Sequence, residues 1–124
     1  MNAHLLARSA YAGAAAPTRT GRGTEYEVFA RVTHRLKSAG RGDGDFNTLV
    51  RALHDNRTLW TTLAADVAIE TNQLPKSLRA QIFYLSEFTA HHTRRVLAGE
   101  AGVTVLIDIN TAVMRGLRNE GNLA

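Results

Sequence analysis

The sequence contains no cysteine among its 124 residues, which excludes disulfide bonds, thiolate metal sites and cysteine nucleophiles. This absence is typical of a protein in a reducing cytoplasm, which is the location we expect. No apolar run approaches about 20 residues, so we expect no membrane span. The apolar part of the N-terminus is broken by Arg8 and Ser9, and no basic cluster follows Met1, which argues against a signal peptide.

Catalytic and cofactor motifs are also absent. There is no GxxxxGK[ST] loop, no GxGxxG turn between strand and helix, and no HExxH pair. His91 and His92 are adjacent, so on a helix they point about 100° apart and cannot chelate one ion together. We expect His91 at the surface and His92 half-buried. The GRGDGD segment lacks the closing glutamate of a calcium loop. We therefore expect no enzyme activity, no cofactor and no metal.

Positive charge is concentrated in the N-terminal third of the chain. Residues 1–42 hold seven of the fifteen Lys and Arg residues but two of the eleven acids. Two interpretations stay open. The arginines solubilise a flexible segment, or they contact an acidic partner or nucleic acid. In the second case Arg31, Arg35 and Lys37 are the residues that would face phosphates.

Residues 45–67 carry the clearest helical pattern, with a stripe of residues spaced three and four apart. The stripe consists of Phe46, Leu49, Leu53, Asn56, Trp60, Leu63 and Val67. Trp60 is the only tryptophan and brings the largest apolar side chain to this face. Asn56 is the one polar member. It either bonds a facing helix and fixes its register, or bonds locally at a wet edge of the stripe.

Three further helices are predicted around this one. A capping-box pattern starts the first helix at Thr24, and Gly40 is suited to cap its end. Pro75 is predicted at the first position of the next helix, which ends near Gly99. The last helix covers residues 103–117. Short connections favour antiparallel neighbours, so the sequence predicts an all-α fold, a small antiparallel bundle of about four main helices.

The chain ends are predicted to differ from this bundle in composition and order. Residues 1–23 form a mobile N-terminal arm and flexible linker, 24–118 the helical domain, and 119–124 a polar, frayed tail. Gly116 interrupts the last helix and indicates a place where another backbone comes close.

Several segments together resemble a known family. NRTLW at 56–60, the NQLP and LRA pieces within 72–80, and LIDINTAVMRGL at 106–117 are similar to the FlaF family of flagellar biosynthesis regulators. The resemblance covers residues 24–117, and Tyr11 is similar to the family's start, whereas 13–23 is richer in Gly and Arg than the family. The residues that carry the family motif are Asn56, Arg57, Trp60, Leu74, Pro75, Arg79, Asp108, Asn110 and Gly116.

The resemblance implies a helical, cytoplasmic protein that acts late in flagellum assembly. Such proteins bind flagellin as a secretion chaperone. They regulate flagellin synthesis post-transcriptionally together with FlbT, which represses translation through the leader of the flagellin messenger. The alternative is that this chain binds that RNA directly.

A chaperone of this kind would hold a terminal amphipathic segment of flagellin in an apolar groove. The candidate contacts are Leu5, Leu6, Tyr11, Leu59, Phe83 and Phe88. In the alternative interpretation Phe83, Phe88 and Trp60 all fill the core. We expect Asp108 and Asn110 to bond the ends of neighbouring helices. Arg57 and Arg79 would pair with such acids or with an acidic patch on a partner.

Overall fold

The computed structural model describes residues 21–41, 45–69 and 72–123, with side chains over 25–41, 45–69 and 72–116. These ranges contain four α-helices and no strand, namely α1 (Gly21–Ala39), α2 (Phe46–Val67), α3 (Lys76–Leu97) and α4 (Thr104–Leu123). The predicted all-α bundle is therefore confirmed. The predicted arm contacts Leu5, Leu6 and Tyr11 lie outside the described residues. Within the described ranges, no helix has the length and hydropathy needed to span a bilayer.

Three helix ends differ from the prediction by a few residues. Helix α1 begins at Gly21, so Thr24 lies inside it rather than at its N-cap. Pro75 is the N-cap of α3, one position before the predicted one. Helix α4 continues to Leu123, through residues predicted to fray. Residues 118–123 include no proline, and so nothing there forces a helix to stop. Gly99, with φ 76°, closes α3 as predicted.

The four helices form an up-and-down bundle with one weakly closed side. Helix α1 packs along α2 and α4, and α3 packs along α2, whereas α3 and α4 barely touch. The pairing of α2 with α3 is antiparallel, because Ser86 bonds the carbonyl of Trp60 and Arg79 bonds that of Val67. Helix α4 therefore lies diagonally across the core from α2.

Two apolar clusters fill the two ends of the bundle. One contains Phe29, Val32, Leu59, Trp60, Leu63, Val67 and Ile82. The other contains Leu36, Ala39, Ala52, Leu53, Val96 and Leu106. Trp60 meets the edge of Phe29, with ring centroids 5.7 Å apart. The stripe of α2 is confirmed except at its first residue.

Two expectations about α2 are wrong. Phe46 is 60% exposed. Phe46 is the first residue of α2. It lies level with the loop after α3, so α3 does not extend far enough to bury its side chain. Leu59, expected to contact a partner, is 9% exposed and belongs to the core cluster of Trp60. The buried face of α2 is wider than the predicted stripe, because α1 and α3 both pack on this helix.

Asp45 caps the start of α2. Its Oδ1 accepts a 2.7 Å hydrogen bond from the backbone N–H of Thr48. This bond lowers the pKa of the Asp45 carboxyl from its ordinary value of 3.8. A lowered pKa gives stability that is present above the unfolded-state pKa and is lost as pH falls through the folded-state pKa.

We expect Asp45→Ala to destabilise the protein at pH 7 and Asp45→Ser to retain most of the stability, because a hydroxyl also accepts the N-cap bond. The difference between wild type and Asp45→Ala should narrow below pH 4. Urea unfolding of the three proteins at pH 7 and pH 3 measures this. A difference that is unchanged at pH 3 would show that the carboxylate charge plays no part.

Gly40 allows α1 and α4 to approach each other. A Cβ built on Gly40 would lie 2.5 Å from Cγ2 of Val103 and 3.2 Å from the carbonyl oxygen of Leu36. Since Val side chains have few rotamers, Val103 cannot simply turn away. The N–H of Gly40 bonds the carbonyl of Leu36, but Gly40 lacks the positive φ of a glycine cap, so this position serves packing rather than the predicted left-handed cap.

We expect Gly40→Ala to lower the free energy of unfolding by about 1–3 kcal/mol through overpacking. In the Val103→Ala background, Gly40→Ala should lower the free energy of unfolding by less than it does in wild type, because the clashing methyl is gone. Denaturant unfolding of the four members of the cycle tests this. Strictly additive losses would contradict the contact.

Candidate partner-binding surfaces

A buried chain of hydrogen bonds joins α2 to α4 through the bundle centre. Asn110 Oδ1 accepts from Trp60 Nε1 at 2.9 Å, and Asn110 Nδ2 donates to Asn56 Oδ1 at 2.8 Å. All three side chains are at most 1% exposed. Asn56 therefore bonds a facing helix, the first of its two predicted alternatives. Asn110 bonds inside the core rather than at a helix end, which corrects that expectation.

The hydrogen bonds between Trp60, Asn110 and Asn56 lie in a polar layer between the two apolar clusters. Each helix contributes one buried polar residue to this layer, and these are Thr33, Asn56, Thr89 and Asn110. Counting along the antiparallel pairs from the Arg35–Asp55, Trp60–Ser86 and Gly40–Val103 neighbours puts all four at one level. The layer costs stability compared with an apolar core. It gives the helices one register that satisfies the Trp60 N–H.

Three further residues of the family motif, Leu74, Pro75 and Arg79, lie at the corner between α2 and α3. Arg79 donates from Nε to the carbonyl of Val67 at 2.8 Å and from Nη2 to that of Ile69 at 2.9 Å. Its predicted pairing with an acid of this chain is absent from the described residues, and it caps the negative carbonyl end of α2 instead. Leu74 packs on the Trp60 cluster, and Pro75 starts α3.

Three residues of the motif are left without such a role. Arg57, Asp108 and Gly116 are exposed. Arg57 and Asp108 form no side-chain hydrogen bond or ion pair with the described part of the chain, so their predicted pairing is absent there. No described atom lies within 4 Å of a Cβ built on Gly116, which means that the expected close backbone is not one of these helices.

The open side of the bundle has an apolar wall on α3. Ser86 and Arg79 identify the flank of α3 that faces α2. Tyr84 and Phe88 lie about 160–200° around the helix from Ser86 and so face the α4 side. Tyr84 is 66% exposed, and Phe88 is half-buried. Phe88 stacks on His92, whose Nε2 lies 3.0 Å from the carbonyl oxygen of Gly102 before α4. His92 is buried and His91 exposed, close to the prediction for this pair.

The facing wall on α4 is also apolar. Ile107 packs in the cluster that holds Leu36 and Ala39 of α1. Ile109, Val113 and Gly116 lie about 180–240° around the helix from Ile107, on the flank toward α3. Ile109 and Val113 are partly buried against the Trp60 cluster, and Gly116 adds no side chain. We call the space between these walls the α3–α4 groove, lined by Tyr84, Leu85, Phe88, Ile109, Val113 and Gly116.

Phe83 and Phe88 lie on different sides of α3, as the sequence predicted. They are separated by about 140° around the helix. Phe83 is 49% exposed and lies toward α2, so the alternative in which Phe83, Phe88 and Trp60 all fill the core is wrong for Phe83. Phe88 borders the groove, and Trp60 is core.

The basic residues predicted to meet phosphates are partly neutralised. Arg35 forms a 3.1 Å ion pair with Asp55 of α2, while Arg31 and Lys37 are exposed. No cluster of three or more His, Asp or Glu side chains suited to a metal occurs in the described ranges.

Comparison with known families identifies a match that covers most of the chain. The model of the family described as flagellar protein FlaF matches residues 7–117. No curated protein and no solved structure matches.

Proposed function

Since the chain belongs to the FlaF family of flagellar proteins, we propose that it is a cytoplasmic, non-enzymatic secretion chaperone that holds flagellin in the α3–α4 groove. Through this binding it takes part, together with FlbT, in the post-transcriptional control of flagellin synthesis. The observation that carries the proposal is the open side of the bundle, where α3 and α4 barely touch and both present apolar side chains.

The groove has the chemistry that an amphipathic helix requires. Its floor is the Trp60 cluster, against which Leu85, Ile109 and Val113 are already partly packed. The exposed Tyr84 side chain borders the groove on α3, whereas Gly116 has no side chain to border it on α4. A flagellin terminal segment laid along the groove would bury its apolar face there and remain unavailable for polymerisation. Glycine at the edge allows the incoming helix to approach the α4 backbone closely.

Direct RNA binding is the less supported alternative. Arg35, one of its three expected phosphate contacts, is paired with Asp55, which reduces the positive charge that α1 offers to RNA. The α3–α4 groove, in contrast, is lined by apolar and aromatic side chains.

Paired calorimetric titrations test the proposal. Monomeric flagellin should bind at micromolar or lower Kd with a negative heat-capacity change, which is the mark of buried apolar surface. Flagellin leader RNA should give no salt-sensitive binding of similar strength. Arg31→Ala, Arg35→Ala should leave flagellin binding intact. Heat with RNA alone, vanishing as salt rises, would contradict the proposal and support the RNA alternative.

A further inference from the structure

A second exposed surface runs along α2 and α3, on the side away from the groove. The antiparallel register places Val50 next to Leu97, and Arg57 one to two turns from Arg94. Phe46 and Phe83 mark the two ends of this strip. Its four apolar members are between 36% and 60% exposed. We call this surface the α2–α3 strip, made of Phe46, Val50, Arg57, Phe83, Arg94 and Leu97.

The spacing of these residues shows that the strip is continuous. On α2, Val50 follows Phe46 by four residues, and Arg57 follows Val50 by seven. On α3, Arg94 and Leu97 follow Phe83 by eleven and fourteen. All of these spacings keep residues on one helix face. The strip spans about 17 residues of helix, or about 25 Å.

Arg57 and Arg94 give the strip its positive charge. Neither Arg57 nor Arg94 makes a side-chain hydrogen bond or ion pair with the described part of the chain. The fold therefore does not use their charges. Arg57 belongs to NRTLW, in which Asn56, Leu59 and Trp60 are buried. Between its apolar ends the strip carries these two guanidinium groups, and the same face of α3 also carries exposed Glu87, which follows Phe83 by four residues and precedes Arg94 by seven. The remaining excess of positive charge calls for a partner with acidic side chains opposite Arg57 and Arg94.

We propose that the α2–α3 strip binds an amphipathic helix of about 17 residues that carries acidic side chains in its middle and apolar side chains toward its ends. The occupant is a second protein segment, distinct from the one in the groove. A second copy of this chain is disfavoured, because symmetric pairing sets the net positive charge of one strip against that of the other. The strip lies across α3 from the groove, so both surfaces can be occupied at once.

A pair of synthetic helical peptides tests this proposal on the full-length protein. Both are 18 residues long and carry leucines at three- and four-residue spacing. One has glutamates and the other lysines at its central polar positions. Fluorescence anisotropy should show binding of the glutamate peptide, at least about tenfold tighter than the lysine peptide and weakened by salt. Methyl resonances of Val50 and Leu97 should shift, whereas those of Ile109 and Val113 should not.

Charge reversal supplies the matched control. Arg57→Glu, Arg94→Glu should weaken the glutamate peptide at least about tenfold and strengthen the lysine peptide. Arg31→Glu, Arg115→Glu changes the net charge equally on exposed sites of α1 and α4 and should alter neither affinity by more than about twofold. Equal binding of both peptides, no binding of either, or equal losses in the two double variants would overturn the proposal. So would tighter binding of a uridine 15-mer at the strip.

Discussion

Asn110→Ala is expected to lower the free energy of unfolding by about 3–5 kcal/mol, the largest loss we expect from removing one polar side chain. The substitution leaves Trp60 Nε1 and Asn56 Oδ1 without the partner they have at 2.9 and 2.8 Å. Each orphaned group in a site that is at most 1% exposed costs about 1–3 kcal/mol, and the small cavity adds to this.

Asp108→Ala is the matched control, because it lies two residues away in the same segment and is exposed. It should change stability by less than about 0.5 kcal/mol. Denaturant unfolding followed by Trp60 fluorescence measures both variants. The double variant Asn56→Ala, Asn110→Ala should lose less than the sum of the single losses, because the two residues share one bond. A loss below about 1 kcal/mol for Asn110→Ala would contradict the network.

Gly116→Leu is expected to weaken flagellin binding at least about tenfold while leaving the protein as stable as wild type or more stable. Replacing a helical glycine by leucine favours the helix by about 0.8 kcal/mol, and no described atom opposes the new side chain. The same side chain fills the edge of the α3–α4 groove. Keeping about 60 Å² of the ligand's apolar surface in water costs about 1.5 kcal/mol, which is tenfold in Kd.

Arg115→Leu is the control for this experiment. It adds the same side chain to the neighbouring exposed position of α4, about 100° away and turned from α3. Its flagellin affinity should remain within about twofold of wild type. Titration calorimetry and thermal unfolding of both variants separate binding from stability. Unchanged affinity in Gly116→Leu, or equal losses in the two variants, would place the flagellin contact elsewhere.

The helical fold could be predicted because its signals are local. The stripe of α2, the glycine that ends α3 and the proline that starts it each depend on neighbouring residues alone. The position of Asn56 in an apolar stripe left two alternatives, a polar partner on a facing helix or local bonding at a wet edge, and the structure has the first. That partner, Asn110, could not be chosen from the sequence, because the pairing depends on which helices lie diagonally across the core.

The division between core and surface was harder to predict. Phe46 was predicted to be buried and is exposed, whereas Leu59 was predicted to contact a partner and is buried. Burial depends on how many helices surround α2 at each level. Arg79 and Arg57 look alike in sequence. One caps the carbonyl end of α2, whereas the other is exposed, and only the three-dimensional corner distinguishes them. The groove exists because α3 and α4 pack weakly against each other. Hydrophobic periodicity shows the apolar face of each helix but does not show which helices pack together.

The most direct test of the central proposal is amide hydrogen exchange of this protein with and without monomeric flagellin. We expect the added protection to concentrate on residues 81–92 and 105–116, the two walls of the α3–α4 groove, with no added protection of α1. Protection confined to α1, or to the outward face of α2, would contradict the groove as the flagellin site, even if flagellin binds tightly.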